Sequence, residues 1–197
     1  MTDGSRWQRL FVDLDAQLDA AHAAELAGEV DERTRLELAT VTLGDRLAAS
    51  TGQRVSLHLV GHEPVVAELL EVADQWLLVG RSVPALVPTA ALTGVGGLGP
   101  SAATGTRDCV RRRLGLASAL RAVARDRSPV RLDLLGGATL GGTIDTVGSD
   151  HLDLAEHPLD EPRRRAVVRG VRTVPFTALV LASPAVATSS LVERYGG

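Results

Sequence analysis

Clustered arginines in the second half of the chain are the side chains whose type and spacing could do chemistry. Residues 107–131 contain eight arginines and two aspartates, and a second arginine group follows at 163–172. Guanidinium groups at this density can neutralise phosphates, so the pattern predicts salt-dependent binding of nucleic acid. The arginines expected to contact phosphates are Arg107, Arg111, Arg112, Arg113, Arg163, Arg164, Arg165 and Arg169. The same charges could instead solvate a helix, or pair with the acidic amino-terminal part of this chain or of a neighbouring copy.

Charge is distributed unevenly along the chain. The 197 residues carry a formal net charge of −3, yet residues 1–100 hold 14 acidic and 7 basic side chains, and residues 101–197 hold 10 and 14. Every cation is arginine, so the lysine that a P-loop needs is missing. Both arginine groups lie in the basic half, where we expect a polyanion to bind.

Residues of catalytic and metal-binding types occur but form no recognisable site. Asp150, His151 and Asp153 have the chemistry of metal ligands, and strand alternation would place the last two on one face. No second set of ligands accompanies them, so a metal-dependent hydrolase is only the weaker alternative to solvent-facing side chains. The glycine string at 94–99 matches a dinucleotide fingerprint, but Pro100 follows where a helix should begin. We therefore expect no catalytic residues, no enzyme activity, no cofactor and no metal.

Composition indicates a protein of a reducing compartment. The single cysteine, Cys109, cannot form an intramolecular disulfide. No stretch approaches the roughly 18 apolar residues of a membrane span, and residues 1–10 lack the pattern of a secretory signal. The expected location is the cytoplasm, with no membrane partner. The remaining histidines are expected at the surface: His22, His58, His62 and His157.

An internal repeat organises the chain. Residues 55–79 and 130–154 align without a gap at an offset of 75 positions. Apolar residues alternate with polar ones in both copies, which is typical of strands. The matched positions include Val55, Leu57, Leu59 and Gly61 in the first copy and Val130, Leu132, Leu134 and Gly136 in the second. Residues 87–92 match 174–179 at an offset of 87, so the second copy has 12 extra residues before its last strand.

Helical patterns precede and separate the two copies. Ser5 and Gln8 have capping-box spacing, and the apolar period that follows predicts one long helix or a helical hairpin over residues 5–50. Thr106 is a good N-cap for a basic helix between the copies. The predicted divisions are 1–52 for the helical segment, 53–97 for the first copy, 98–128 for a Gly/Ser-rich linker and the basic helix, 129–183 for the second copy and 184–197 for a tail.

The second copy resembles the Sm-like (LSm and Hfq) family of small β-barrels. Residues 130–136, Gly142 and residues 150–154 are similar to the first motif of that family, and residues 167–170 to the hydrophobic-Arg-Gly core of its second motif. The resemblance implies a barrel of five strands, and a base-binding pocket in which His151 stacks on the base and Arg169 completes the site. The first copy looks like a more divergent member of the same kind.

Together these patterns predict an α+β fold. We expect an amino-terminal helical segment followed by two tandem Sm-like or SH3-like five-stranded small β-barrels joined by a basic helix. The predicted function is non-enzymatic binding of nucleic acid, RNA in particular, through the basic helix and the second barrel. The alternative is a protein-interaction scaffold in which barrel edge strands or the amino-terminal helices bring copies of the chain together into a homo-oligomer.

Overall fold

Ten β-strands, two complete α-helices and three turns of 3-10 helix lie in the part of the chain that the computed structural model describes. That part comprises residues 39–80, 83–99, 102, 113–159 and 168–185. The chain divides into two compact parts, residues 1–42 and 43–197, and of the first part only residues 39–42 are described. The amino-terminal helix or hairpin predicted over residues 5–50 therefore lies outside the described residues up to residue 38.

One of the two helices precedes each run of five strands. The helices are α1, Leu43–Ala49, and α2, Leu116–Arg125. The first half-sheet contains β1, Arg54–Leu59; β2, Val65–Val72; β3, Trp76–Val79; β4, Ala85–Pro88; and β5, Leu92–Gly96. The second half-sheet contains β6, Val130–Leu134; β7, Thr139–Val147; β8, His151–Glu156; β9, Gly170–Pro175; and β10, Leu179–Pro184.

All ten strands belong to one antiparallel sheet. Their order is β5-β1-β2-β3-β4-β10-β6-β7-β8-β9. The two half-sheets have the same strand order. In each, the last strand pairs with the first strand and forms one edge, and the fourth strand forms the other edge. The halves join where β4 pairs with β10, at the register Ala182↔Leu86.

The prediction of two closed five-stranded barrels joined by a helix is wrong. A barrel closes when its two outermost strands pair with each other, which removes the sheet edges. Here the outer side of β4 is occupied by β10 of the other half-sheet, so the first five strands do not close on themselves. Strands β5 and β9 each pair with one described neighbour and form the two ends of a continuous open sheet.

Both helices pack on the sheet instead of linking separate bodies. Helix α1 contacts β2, and α2 contacts β7. Each buries a leucine, Leu47 in α1 and Leu120 in α2, in a different apolar cluster. Helix α2 begins after Gly115, and the N-cap predicted at Thr106 lies outside the described residues.

The two apolar clusters exchange residues across the β4–β10 junction. Val180 and Leu181 of β10 are buried among residues of the first half-sheet. Trp76 and Leu86, from the first half-sheet, are buried among residues of the second, together with Ala73. Neither half-sheet therefore completes its core alone.

The turn between β2 and β3 also holds the start of α2. The Gln75 side-chain oxygen accepts a hydrogen bond from the Leu116 backbone N–H at 2.9 Å. The Trp76 indole N–H donates to the Leu114 carbonyl at 2.8 Å. The first of these bonds satisfies a backbone donor that the first turn of a helix otherwise leaves without an intrahelical partner.

Truncating the buried leucine of α2 should destabilise the protein. We expect Leu120→Ala to lower the free energy of unfolding by about 3 kcal/mol, because it removes apolar contacts and leaves a cavity under the helix. Leu114→Ala is the matched control, since Leu114 is exposed just before the same helix. Urea unfolding followed by circular dichroism measures both, and equal losses would contradict this account of the core.

Candidate functional site

Three of the nine predicted binding residues lie in the described part of the chain. They are Arg113, His151 and Arg169. The other six lie outside the described residues: Arg107, Arg111, Arg112, Arg163, Arg164 and Arg165. Surfaces formed by described residues are therefore the basis for locating a site.

His151 and Arg169 lie at opposite ends of the same strand pair. His151 is opposite Pro175, whereas Arg169 donates its backbone N–H to the Glu156 carbonyl at 2.8 Å. His151 and Glu156 are the first and last residues of β8, which separates them by about 17 Å along the strand. The structure does not bring His151 and Arg169 into the common pocket that the resemblance implies.

The turn between β7 and β8 contacts both the His151 ring and an arginine of α2. The His151 Nδ1 is 2.8 Å from the Asp150 carboxylate, and this hydrogen bond lowers the pKa of Asp150. The ring lies over Gly148, where a Cβ would come within 2.6 Å of it. The Gly148 carbonyl accepts a hydrogen bond from the Arg121 guanidinium at 3.0 Å. Arg121 of α2 thus contacts the turn that precedes His151, and sequence reasoning missed it as a site residue.

Helix α2 presents a basic exposed surface near this turn. Arg121 and Arg125 of the helix are exposed, as are Arg113 before it and Arg127 after it. Asp126 is the acidic residue within 113–128. We use the name arginine face for these four exposed residues, Arg113, Arg121, Arg125 and Arg127. Its members belong to the charge run that the sequence singled out, although only Arg113 was named there as a contact.

A row of polar side chains crosses β7, β8 and β9 next to the turn. Asp153 accepts hydrogen bonds from the Thr146 hydroxyl at 2.5 Å and the Thr173 hydroxyl at 2.6 Å. These two donors lower the pKa of Asp153, that of Thr146 having the larger effect. The strand register makes this row, because Asp153 lies opposite Thr146 on one side and Thr173 on the other.

Arg172 and His157 already have partners within the fold. Glu156 accepts a hydrogen bond from the Arg172 guanidinium and raises the pKa of Arg172. His157 was expected at the surface, but it is only 3% exposed. Its ring bonds the Thr143 hydroxyl and the Pro158 carbonyl, each at 2.8 Å. Because a carbonyl can only accept, Nδ1 carries the proton, and in the neutral ring Nε2 accepts from Thr143. Among the described residues no group of three or more His, Cys, Asp or Glu could hold a metal ion.

The two ends of the sheet are the other surface with interaction chemistry. A strand paired on one side leaves alternate backbone N–H and C=O groups directed outward. Residues 170–173 of β9 are exposed, and Val171 keeps 63% of its surface in contact with solvent. At the opposite end, Thr93 of β5 is exposed and its neighbours are half-buried. No described strand pairs with the outer side of β5 or β9.

No protein-family model matches the chain, and no curated protein matches it. The resemblance to the Sm-like family therefore rests on the residues quoted for it and stays a prediction. Among the described residues, no helix has the length and apolar character needed to cross a membrane. Function is accordingly inferred from the two sheet ends and the arginine face.

The carboxylate of Asp153 should contribute a pH-dependent part of the stability. Its pKa in the folded protein lies below the ordinary value of 3.8, so the contribution is complete above that value and is lost as the pH falls through the folded pKa. We expect Asp153→Asn to be less stable than the parent at neutral pH, and the difference to shrink as the pH falls below 3.8.

Urea unfolding measured across that pH range checks this expectation. Thr146→Val is the companion variant, because it removes the donor with the larger effect and should lose part of the same pH-dependent difference. A stability difference for Asp153→Asn that stays constant from neutral to acidic pH would contradict the assignment.

Proposed function

We propose that the chain is built from two copies of one unit and acts as a non-enzymatic assembly module. In this proposal, β9 of one molecule pairs with β5 of a second copy. The observation that carries it is the β4–β10 junction, where the fourth strand of one half-sheet pairs with the last strand of the other. The outer strands are β9, the fourth strand of the second half-sheet, and β5, the last strand of the first half-sheet. The same kind of contact can therefore form between two copies of the chain.

Sequence alignment of the strands supports this equivalence. Val87 and Pro88 end β4, and Val174 and Pro175 end β9 at an offset of 87. A turn of 3-10 helix follows both pairs, at Thr89–Ala91 and Phe176–Ala178, and leads into β5 and β10. The contact is heterologous, because different surfaces of two copies meet, and repetition gives a closed ring or an open filament.

The outer strands β9 and β5 are more polar than the strands of the β4–β10 junction, and this difference limits the strength of pairing between copies. Leu86 is buried at the junction, and its counterpart on β9 is Thr173. Val180 and Leu181 of β10 are buried there, and their counterparts on β5 are Thr93 and Gly94. Burying one leucine or valine side chain contributes about 1.5–3 kcal/mol. Association between copies is therefore expected to be reversible and concentration-dependent, much weaker than the internal junction.

Substitutions on β9 should change self-association in opposite directions. We expect Val171→Asp to weaken it, because a charge on an edge strand opposes strand pairing. Thr173→Leu restores the apolar side chain found at position 86 and should tighten the association about tenfold. Sedimentation equilibrium over a range of protein concentrations measures both, with Val171→Thr as the uncharged control.

A parent chain that stays monomeric at every concentration would overturn the proposal. So would a Val171→Asp variant that associates as strongly as the parent.

We propose nucleic-acid binding, with RNA as the ligand to test first, as a second function. The observation that favours it is the arginine face, whose four exposed guanidinium groups are accompanied by one acidic residue within 113–128. Arg121 donates a hydrogen bond to the Gly148 carbonyl in the β7–β8 turn, and His151 follows that turn. The His151 ring could stack on a base. This surface would neutralise phosphates without reading sequence.

Removing charge from the arginine face should weaken RNA binding and its dependence on salt. Each phosphate contact on a single strand contributes about 0.7 to the slope of log affinity against log salt. For the double variant Arg121→Gln and Arg125→Gln, which removes two such contacts, we expect the magnitude of this slope to fall by about 1.4. Fluorescence anisotropy with a single-stranded RNA at several salt concentrations measures it. Arg172→Gln is the control, since Arg172 is paired with Glu156 on the sheet. Absence of binding by the parent at low salt would exclude this function.

A further inference from the structure

Leu43 is an exposed leucine whose counterpart in the other half of the molecule is buried. Both helices begin with a leucine, Leu43 in α1 and Leu116 in α2, and both carry a second leucine four residues later. The second leucines, Leu47 and Leu120, are both buried under their helices. The first leucines differ, because Leu43 is 50% exposed and Leu116 only 6%.

Residues of the first half-sheet contribute to the buried cluster that contains Leu116. Leu116 belongs to the same buried cluster as Ala73 and Trp76, which flank the turn between β2 and β3. The hydrogen bonds from the Leu116 N–H to Gln75 and from the Trp76 indole to Leu114 hold that turn against the start of α2. The turn thus covers the leading leucine of the following unit.

The turn between β7 and β8 is the counterpart of this covering turn. Counting on by 75 positions, Gly148 corresponds to Ala73, Asp150 to Gln75 and His151 to Trp76. Asp150 is exposed and His151 is partly exposed. The described part of the molecule thus has an open covering turn in the second unit and an uncovered leading leucine in the first.

We propose that in the assembled state the β7–β8 turn of one copy covers Leu43 of a second copy. In this contact His151 packs near Leu43 of the second copy, as Trp76 packs in the same cluster as Leu116 within one chain. This inference rests on the proposed β9–β5 pairing. In the repeat, β9 is the counterpart of β4 and the β7–β8 turn is the counterpart of the β2–β3 turn, so a pairing that resembles the β4–β10 junction also brings the β7–β8 turn to α1 of the second copy. It adds a side-chain contact to the backbone pairing, and this contact selects a second copy of the chain over an unrelated exposed strand.

Three single variants of the full chain test the contact. We expect Leu43→Ser to weaken self-association about tenfold, since it removes the side chain that the turn covers. His151→Trp should strengthen it, because it restores the larger ring found at position 76. Leu135→Ser is the matched control, since Leu135 is 44% exposed in the β6–β7 turn, outside the proposed contact. Sedimentation equilibrium gives the association constants, and the urea midpoint of each variant verifies that it is folded.

Mixing two variants tests the head-to-tail direction. Val171→Asp damages the β9 end and leaves the Leu43 end intact, whereas Leu43→Ser does the reverse. We expect each alone to associate poorly, and an equimolar mixture to recover one intact contact. The mixture should therefore form one-to-one dimers and no larger assemblies.

The outcomes separate this inference from the assembly on which it rests. If Val171→Asp abolishes association while Leu43→Ser and His151→Trp behave like the parent, edge pairing stands and the Leu43 contact is wrong. A Leu135→Ser effect equal to that of Leu43→Ser would also overturn the contact, since it would indicate unspecific apolar adhesion. A monomeric parent chain would overturn both.

Discussion

The pairing of β4 with β10 is the constraint on which the rest of the molecule depends. It occupies the side of each half-sheet that would otherwise close on itself, and it brings apolar residues of each half into the core of the other. Trp76 shows the coupling most directly, because its ring belongs to the second core while its indole N–H fixes the backbone before α2. Loss of the junction would expose both cores, so we expect the two half-sheets to unfold as one unit.

The strands could be predicted from the sequence because alternation records which side chains face the core. Val55, Leu57 and Leu59 alternate with polar residues, and they are buried in β1 as expected. Alternation does not record which strand lies at the outer side of another, since the backbone groups that pair are the same in every residue. A closed barrel and an open sheet can therefore have the same pattern, and the closure prediction failed at this step.

The site was only partly predictable for a related reason. Alternation predicted a strand that carries His151 and Asp153, and both lie in β8, but the hydroxyl partners of Asp153 come from neighbouring strands and depend on register. Arg169 was paired with His151 on a short motif, and the strand bounds separate them. The burial of His157 depends on Thr143 in another strand, and no local sequence signal reports that contact.

The linker between the half-sheets has a consequence for how any assembly could grow. A covalent connection converts the pairing of two units from an encounter in solution into an intramolecular step, at an effective concentration set by the length and stiffness of the connection. The β4–β10 contact is therefore insensitive to dilution, whereas the proposed contact between β9 and β5 of two copies would not be. Under the proposed pairing, the smallest building block is already a pair of units. A ring of such chains would contain an even number of units, with tethered and untethered contacts alternating around it.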